Sequence, residues 1–285
     1  MNINELSLIL FTVLTQAAFG LVASMAVLLS AGQPAVRIVC FKKRQVITGI
    51  ALLLMAGALF FSLFHLGSPV RAIYALSNLR NSWLSREILM VLIFSTILLI
   101  WFAGVNRGML SEGANRIMMV LAVVSGAMLV YSMARLYMLP AVPAWDSHRT
   151  IVLFYSSGIL TGTMLLLAII MPSFTGGHDK PAGYRFAPFL LAGTVAMLLR
   201  IGFSLFPTPV ENVAFAPENV PMLLSVLNIL LPLSGMATGV LAVIFPHLCG
   251  KTGCSRLMVL SLILIFAGEI TGRYIFYAGH FSAGI

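Results

Sequence analysis

The sequence predicts an all-α integral membrane bundle of eight transmembrane helices, and three observations lead to that fold class. Of the 285 residues, 60% are hydrophobic and only 9% are charged. The mean hydropathy is +1.03, whereas a soluble domain is about 45–50% apolar and about a quarter charged. The apolar residues form unbroken runs such as 88–102 and 257–267, not the alternation of a barrel strand. Helical spans therefore fit the chain.

Eight segments are long and apolar enough to cross a bilayer, for which about 20 residues suffice. They cover 7–31, 46–66, 87–105, 117–139, 150–172, 187–206, 220–246 and 256–279. Gly67 and Pro69 are expected to stop the second span, and Glu87 to open the third.

The connections between these segments leave no room for a soluble domain. We therefore predict a single membrane domain over 1–285, for which two four-helix halves, about 1–139 and 150–285, are one subdivision. No convincing internal repeat relates the two halves.

The distribution of Lys and Arg predicts the orientation of the bundle. Ten of these residues lie in or beside one set of connections, 32–45, 106–116, 173–186 and 247–255. The opposite set of connections carries four. Because positive residues favour the cytoplasmic side, we predict that both termini are periplasmic. We interpret the net charge of +9 as a result of this topology and of contact with anionic lipid, and not as a sign of nucleic-acid binding.

The connection between the second and third predicted spans is unusually polar for this chain. Between His65 and Glu87 lie Arg71, Arg80 and Arg86. Ionisable groups in or against a bilayer are costly, so such a segment by default indicates a functional site. His65 is either a cation at a helix C-terminus or a group that exchanges protons at neutral pH. Glu87 either stabilises a helix N-terminus or accepts a proton beside His65.

Charged side chains also occur inside later spans, where an unpaired charge costs about 2.5–3.5 kcal/mol on insertion scales. Arg135 lies about one turn before the end of the fourth span, and Tyr137 follows it. Glu269 and Arg273 are four residues apart on one face of the eighth span, which predicts an ion pair. A structural clamp and a functional pair both fit that spacing.

The histidines and cysteines argue against a redox centre in this chain. None of the five histidines falls at mid-membrane depth, where two facing histidines would hold a b-type haem. No cysteine run suits an iron–sulfur cluster, and His247, Cys249 and Cys254 are too few for a closed zinc site. We therefore expect neither haem nor metal here.

Motifs at several places along the chain point to a known family. The most specific are the run HLGSPVRA at 65–72, followed by LSREI at 84–88, and the run GEITGR at 268–273. RLY at 135–137 precedes VPAW at 142–145, and FTV at 11–13 with Gln16 agrees as well. In these motifs the protein resembles the membrane-anchor (C) subunit of the anaerobic dimethyl sulfoxide reductase family.

This resemblance implies a haem-free anchor in the bacterial inner membrane that oxidises menaquinol in anaerobic respiration. It implies that electrons pass to an iron–sulfur subunit, and then to a molybdopterin catalytic subunit that reduces dimethyl sulfoxide or a related S- or N-oxide. The protein would carry the quinol site but not the catalytic centre of that oxidoreductase complex.

The site predicted from the resemblance and from the polar residues has His65 and Glu87 as proton acceptors. Arg71 or Arg86 would keep Glu87 ionised. The residues predicted to bind the quinol are His65, Gly67, Ser68, Arg71, Glu87, Arg135, Tyr137, Trp145, Glu269 and Arg273.

Two other functions fit the sequence. A secondary transporter would also be a helical bundle, although such folds favour internal repeats and polar sites at the midplane. In a purely structural anchor, Glu269 and Arg273 would only clamp the bundle together, and the quinol would be handled at the edge of the anchor.

Overall fold

The computed structural model is a bundle of eight α-helices in the residues that it describes, which are 3–31, 34–65, 74, 76–142, 145–174, 186–205 and 222–281. The helices are α1 Ile3–Ala31, α2 Pro34–His65, α3 Trp83–Asn106, α4 Glu112–Tyr137, α5 His148–Ile170, α6 Ala187–Leu205, α7 Met222–Ile244 and α8 Pro246–Phe281. Short 3₁₀ turns cover Leu76–Asn78 and Met171–Ser173. The prediction of an all-helical fold is confirmed, since these residues contain no strand.

Seven of these helices are long and apolar enough to cross a membrane, namely α1 to α5, α7 and α8. α6 contains a shorter apolar stretch, Phe189–Phe203. Each of the eight predicted segments coincides with one helix, and seven of these helices have the length and composition that a span requires. Their outward faces carry many large apolar side chains, for example Leu53, Leu99 and Ile263, as a surface in contact with lipid requires.

Two helix boundaries differ from the prediction in ways that matter for the site. α2 begins at Pro34 and not near residue 46 as predicted, so its first turns carry basic residues. α3 begins at Trp83 because Ser82 caps it, and the Ser82 hydroxyl accepts a hydrogen bond from the Ser85 amide at 3.2 Å. Glu87 consequently lies about one turn inside the helix.

The eighth helix is bent near its start. Gly250 has φ 62° and ψ 176°, a backbone conformation that side chains disfavour and glycine adopts readily. The part of α8 that is long and apolar enough to cross a membrane, Thr252–Ala278, begins after this bend.

Neighbouring helices run in alternating directions, which gives the bundle two distinct ends. Trp83 at the start of α3 contacts Tyr131 near the end of α4, with ring centroids 5.7 Å apart. Arg44 near the start of α2 forms an ion pair with Glu112 at the start of α4. We call the end where α1, α3, α5 and α7 begin the Glu87 end, and the opposite end the Glu112 end. The charge distribution predicts that the Glu87 end is periplasmic.

The centre of the bundle is a close contact between α1 and α5. A Cβ atom on Gly20 would lie 1.7 Å from the Gly158 carbonyl oxygen, and one on Gly162 would lie 1.9 Å from the Gly20 carbonyl carbon. The two backbones therefore touch, as small residues four apart allow in membrane helices. This contact fixes the positions of Gln16, one turn before Gly20, and of Ser157, next to Gly158.

Candidate functional site

Glu87 is a buried carboxylate near the start of α3. Its side chain is 5% exposed, and among the described residues its Oε2 has no hydrogen-bond partner. Because Ser82 caps α3, Glu87 is not needed to satisfy the first amides of the helix. Glu87 also lies beyond the first turn of α3, where the favourable effect of the helix dipole on a carboxylate is largely lost, so the interpretation of Glu87 as a carboxylate that stabilises the helix N-terminus is wrong. A carboxylate oxygen buried without a partner is costly, which favours a ligand that donates a hydrogen bond to it.

Two tyrosine hydroxyls meet near Glu87. Tyr277 of α8 donates a hydrogen bond to Tyr137, the last residue of α4, at 3.0 Å, and both side chains are buried. Glu87 lies within electrostatic range of both hydroxyls. Trp145 packs edge-on against Tyr137 and donates its Nε1 proton to the Phe276 carbonyl at 2.8 Å. The structure thus brings the predicted residues Glu87, Tyr137 and Trp145 into one region.

Arg273 connects this region to α1. Its Nη2 donates to Gln16 Oε1 at 2.8 Å, and its guanidinium lies 3.8 Å from the centroid of the Phe154 ring. Arg273 also interacts electrostatically with both tyrosines. Within the described part of the chain, Nε2 of Gln16 has no hydrogen-bond acceptor although the side chain is fully buried. Gln16 Nε2 and Glu87 Oε2 are therefore two buried polar atoms that could bind a ligand.

Glu269 is the centre of a second set of contacts, deeper in the bundle. Its Oε1 forms an ion pair with Arg200 of α6, and its Oε2 accepts a hydrogen bond from Ser157 at 2.6 Å. Arg200 Nη2 also donates to Asn228 of α7 at 2.5 Å. Gly272 leaves the space for this guanidinium, since a Cβ there would lie 2.2 Å from Arg200 Nη2.

The predicted ion pair between Glu269 and Arg273 is wrong. The two residues share one helix and lie within electrostatic range of each other, but the direct contact of each comes from across the bundle. Arg200 reaches Glu269 from α6, and Gln16 reaches Arg273 from α1. The spacing within one helix could not reveal partners that tertiary packing supplies from two other helices.

Together these groups form one polar cluster that draws side chains from seven helices. It lies nearest the Glu87 end: Glu87 is four residues, or about 6 Å, into α3, and Ser157 is nine residues, or about 14 Å, into α5. The members of the polar cluster are Gln16, Glu87, Tyr137, Ser157, Arg200, Asn228, Glu269, Arg273 and Tyr277.

Two arginines at this end lie outside the polar cluster. Arg86 donates to the carbonyls of Leu79 at 2.9 Å and Arg80 at 2.6 Å, so it stabilises the preceding loop. The prediction that Arg86 could hold Glu87 ionised by pairing with it is therefore wrong. Arg135 lies with its guanidinium 5.1 Å from the Trp83 ring centroid, whereas in the described part of the chain Tyr137 contacts Trp145 and Tyr277.

The remaining predicted residues belong to the polar connection after α2. His65 is the last residue of α2, so its predicted position at the end of the second span is confirmed. The His65 side chain and the residues Gly67, Ser68 and Arg71 lie outside the described residues.

Sequence reasoning did not include five members of the polar cluster among the predicted site residues: Gln16, Ser157, Arg200, Asn228 and Tyr277. A signal existed for Arg200, because a lone charge in an apolar span is expected to have a partner. Ser157 and Asn228 gave no such signal, since small polar residues are ordinary in membrane helices.

The chemistry available in the polar cluster is hydrogen bonding and proton exchange. Within the ranges that the structure describes, no three His, Cys, Asp or Glu side chains lie close enough together to hold a metal ion. A carboxylate, an amide and two phenols can bind the hydroxyl groups of a ligand, and the carboxylate can take a proton from it.

Comparison with known proteins identifies the family. The family described as DMSO reductase anchor subunit (DmsC) matches residues 1–279. The protein belongs to this family. It is 28% identical to the C subunit of the anaerobic dimethyl sulfoxide reductase of Escherichia coli K12 over 291 residues, which cover 99% of this protein and 97% of that relative.

Two further relatives match over nearly their whole length. The YnfH subunit of an E. coli K12 anaerobic dimethyl sulfoxide reductase is 27% identical over 290 residues, covering 99% of this protein and 97% of the relative. The C subunit of the Haemophilus influenzae anaerobic dimethyl sulfoxide reductase is 26% identical over 289 residues, covering 100% and 98%. No solved structure gives a significant match. The resemblance seen in the sequence motifs is confirmed, and this DmsC-family subunit is a multi-pass anchor in the bacterial inner membrane.

Proposed function

We propose that this anchor subunit oxidises menaquinol at the Glu87 end and passes the electrons to an iron–sulfur subunit. From there they would reach a molybdopterin subunit that reduces dimethyl sulfoxide or a related S- or N-oxide. The relatives, which are named as parts of anaerobic dimethyl sulfoxide reductases, supply the setting. The observation that carries the proposal is Glu87, a buried carboxylate with an oxygen left unpartnered among the described residues.

The reaction needs proton acceptors at the quinol hydroxyls. Oxidation of menaquinol to menaquinone releases two electrons and two protons. In the proposal, Glu87 takes one proton and His65, the last residue of α2 at the same end, takes the other. Both electrons leave to the iron–sulfur subunit, which docks at the Glu87 end because electron transfer requires a short distance.

The surroundings of Glu87 suit the quinol ring and its hydroxyl groups. Trp145 and Phe276 stack with ring centroids 5.2 Å apart and give a flat apolar wall next to Tyr137. Gln16 Nε2 is a donor for a quinol oxygen, and Arg273 holds the Gln16 side chain in place through the bond to Oε1. Gly67, Ser68 and Arg71 complete the proposed contacts from the connection after α2.

Replacement of Glu87 by Gln tests the role of the carboxylate. Glutamine keeps the size of the side chain but cannot accept a proton, and loss of a general base lowers rates by about 10²–10⁴-fold. In the assembled complex, we expect menaquinol-dependent reduction of the iron–sulfur centres to fall at least about a hundredfold. Reduction of the sulfoxide by a soluble artificial electron donor should stay unchanged, because that route bypasses the anchor.

The matched control is Glu112→Gln, which removes an exposed carboxylate at the opposite end of the bundle. It should leave the quinol-dependent rate unchanged. An assembled His65→Arg complex should lose quinol oxidation in the same way as Glu87→Gln. Full rates in both variants would contradict the proposed site. If a fluorescent quinol analogue also failed to bind the native complex, the purely structural anchor would be the better description.

A further inference from the structure

A cavity of about 590 Å³ lies at the Glu112 end, on the opposite side of the bundle from the polar cluster. It is lined by the end of α1, the first turns of α2 and α4, and Trp101 of α3. The Trp101 indole donates to Asn115 Oδ1 at 3.2 Å, and Asn115 donates to the carbonyls of Leu110 and Ser111. Since these inner polar groups are satisfied within the protein, binding of a ligand would depend on the other lining residues.

Those lining residues are strongly positive. Arg37, Lys42, Arg44 and Arg116 line the cavity together with a single carboxylate, Glu112. Arg44 is paired with Glu112 at 3.0 Å. The other three basic side chains are exposed, and in the described part of the chain none of them has an ion-pair partner. Three positive charges are therefore available to an anion.

The same cavity also has apolar walls. Met25 and Leu29 come from α1, Ile38 and Phe41 from α2, and Met119 from α4. Ile38 is 56% exposed and Phe41 is 38% exposed, and in the sequence of α2 they are adjacent to the basic residues Arg37 and Lys42. A soluble anion would use only the charges, and a neutral lipid would use only the apolar walls. A ligand that uses both must be an amphiphilic anion.

We propose that this cavity binds the headgroup of an anionic phospholipid. The phosphate lies among Arg37, Lys42 and Arg116, and an acyl chain follows Ile38 and Phe41 towards the membrane interior. The depth is suitable, because the apolar spans of α1, α2 and α4 end or begin beside the cavity, at Ser30, Arg37 and Glu112. Basic groups near a membrane surface attract anionic lipid. The proposal does not depend on quinol oxidation at the other end.

Tryptophan fluorescence can report on this cavity directly. Trp101 lines it, whereas Trp83 and Trp145, the other two tryptophans, lie at the Glu87 end. The full-length protein carrying Trp83→Phe and Trp145→Phe would be reconstituted in phosphatidylcholine vesicles. These vesicles would contain either brominated phosphatidylglycerol or brominated phosphatidylcholine at the same mole fraction, and retained helicity would be checked by circular dichroism. We expect brominated phosphatidylglycerol to quench Trp101 fluorescence more strongly than brominated phosphatidylcholine.

Adjacent lysines on α2 provide matched variants. Lys42 lines the cavity and Lys43 does not. On this background, Lys42→Gln should weaken the preference for phosphatidylglycerol about fivefold, which is the effect of one basic group near a membrane surface. Lys43→Gln should weaken the preference less than Lys42→Gln does, because Lys43 does not line the cavity. The triple variant Arg37→Gln, Lys42→Gln, Arg116→Gln should abolish the preference.

Three results would overturn the proposal. Equal quenching by the two brominated lipids would mean that the cavity does not select the anionic headgroup. Equal effects of Lys42→Gln and Lys43→Gln would assign any preference to the general charge of this end. Displacement of the brominated phosphatidylglycerol by millimolar inorganic phosphate would identify the ligand as a soluble anion instead of a lipid.

Discussion

The two ends of the bundle each contain an arginine–glutamate ion pair, in opposite surroundings. In the Arg200–Glu269 pair the side chains are 10% and 2% exposed, and in the Arg44–Glu112 pair they are 22% and 62% exposed. Removing one partner of a buried pair leaves a charge that neither water nor protein compensates. An exposed pair exchanges its partner for water at little cost. The same kind of ion pair therefore contributes strongly to the stability of the fold at the Glu87 end and little at the Glu112 end.

The groups without partners differ between the ends in the same way. At the Glu87 end they are buried atoms, and among the described residues they include Glu87 Oε2, Gln16 Nε2 and Arg135 Nε. At the Glu112 end they are exposed cations such as Lys42. Buried unpartnered groups suit a ligand that exchanges protons and hydrogen bonds, whereas exposed cations suit the attraction of an anionic surface. Substitutions of the paired groups should therefore lower the stability of the protein more at the Glu87 end than at the Glu112 end.

Arg200→Leu should have the largest effect on stability. It removes the cation that pairs with Glu269 in a buried site and leaves the hydrogen bond from Ser157, and breaking a buried ion pair costs about 3–5 kcal/mol. The free energy of unfolding can be measured by titrating the purified protein in mild detergent with sodium dodecyl sulfate. We expect the transition to shift to a markedly lower fraction of the denaturing detergent.

The double variant Arg200→Leu, Glu269→Leu shows whether the lost stability comes from the broken ion pair or from disturbed packing. Because it removes both charges, it should recover at least half of the stability that Arg200→Leu loses. If the double variant were less stable than the single one, the ion pair would not be the cause.

The helices of this fold could be predicted from the sequence because lipid imposes a simple rule on composition. In lipid, the backbone N–H and C=O groups must be hydrogen-bonded within the protein, and a helix satisfies them inside each apolar run. All eight predicted segments accordingly coincide with helices. The start of α3 was misplaced by four residues, since the polar run Ser82–Arg86 looks like a loop although Ser82 caps a helix there.

The partners of the buried charges could not be predicted in this way. Glu269 and Arg273 have the correct spacing for an ion pair, yet contacts from α6 and α1 decide between their possible partners. Sequence motifs identified Gln16 as part of the family pattern, but only the fold reveals that it meets Arg273. Local periodicity predicts the face of a helix, and tertiary packing determines which helix covers that face.

Gln16→Leu should have the second largest effect. The Gln16 side chain accepts a hydrogen bond from a buried guanidinium, and hydrogen bonds to charged groups contribute about 1.5–3 kcal/mol. The same detergent titration measures the loss. Gln45→Leu is the matched control, because Gln45 is an exposed glutamine that donates to Asn106 at the Glu112 end. Gln45→Leu should lower the free energy of unfolding by no more than about 0.5 kcal/mol. Equal losses in the two variants would show that burial does not distinguish the ends.

Arg44→Gln should have the smallest effect, because it removes the exposed ion pair with Glu112. Exposed pairs contribute about 0–1 kcal/mol, and salt screens them. The unfolding transition should therefore shift slightly at low ionic strength, and the shift should disappear at about 1 M salt, where the Debye length is about 3 Å. Arg107→Gln, an exposed arginine at the same end, should produce no shift at either ionic strength. A loss in Arg44→Gln as large as that in Arg200→Leu, and insensitive to salt, would contradict the contrast between the two ends. It would require the Arg44–Glu112 pair to be shielded from water in the assembled protein.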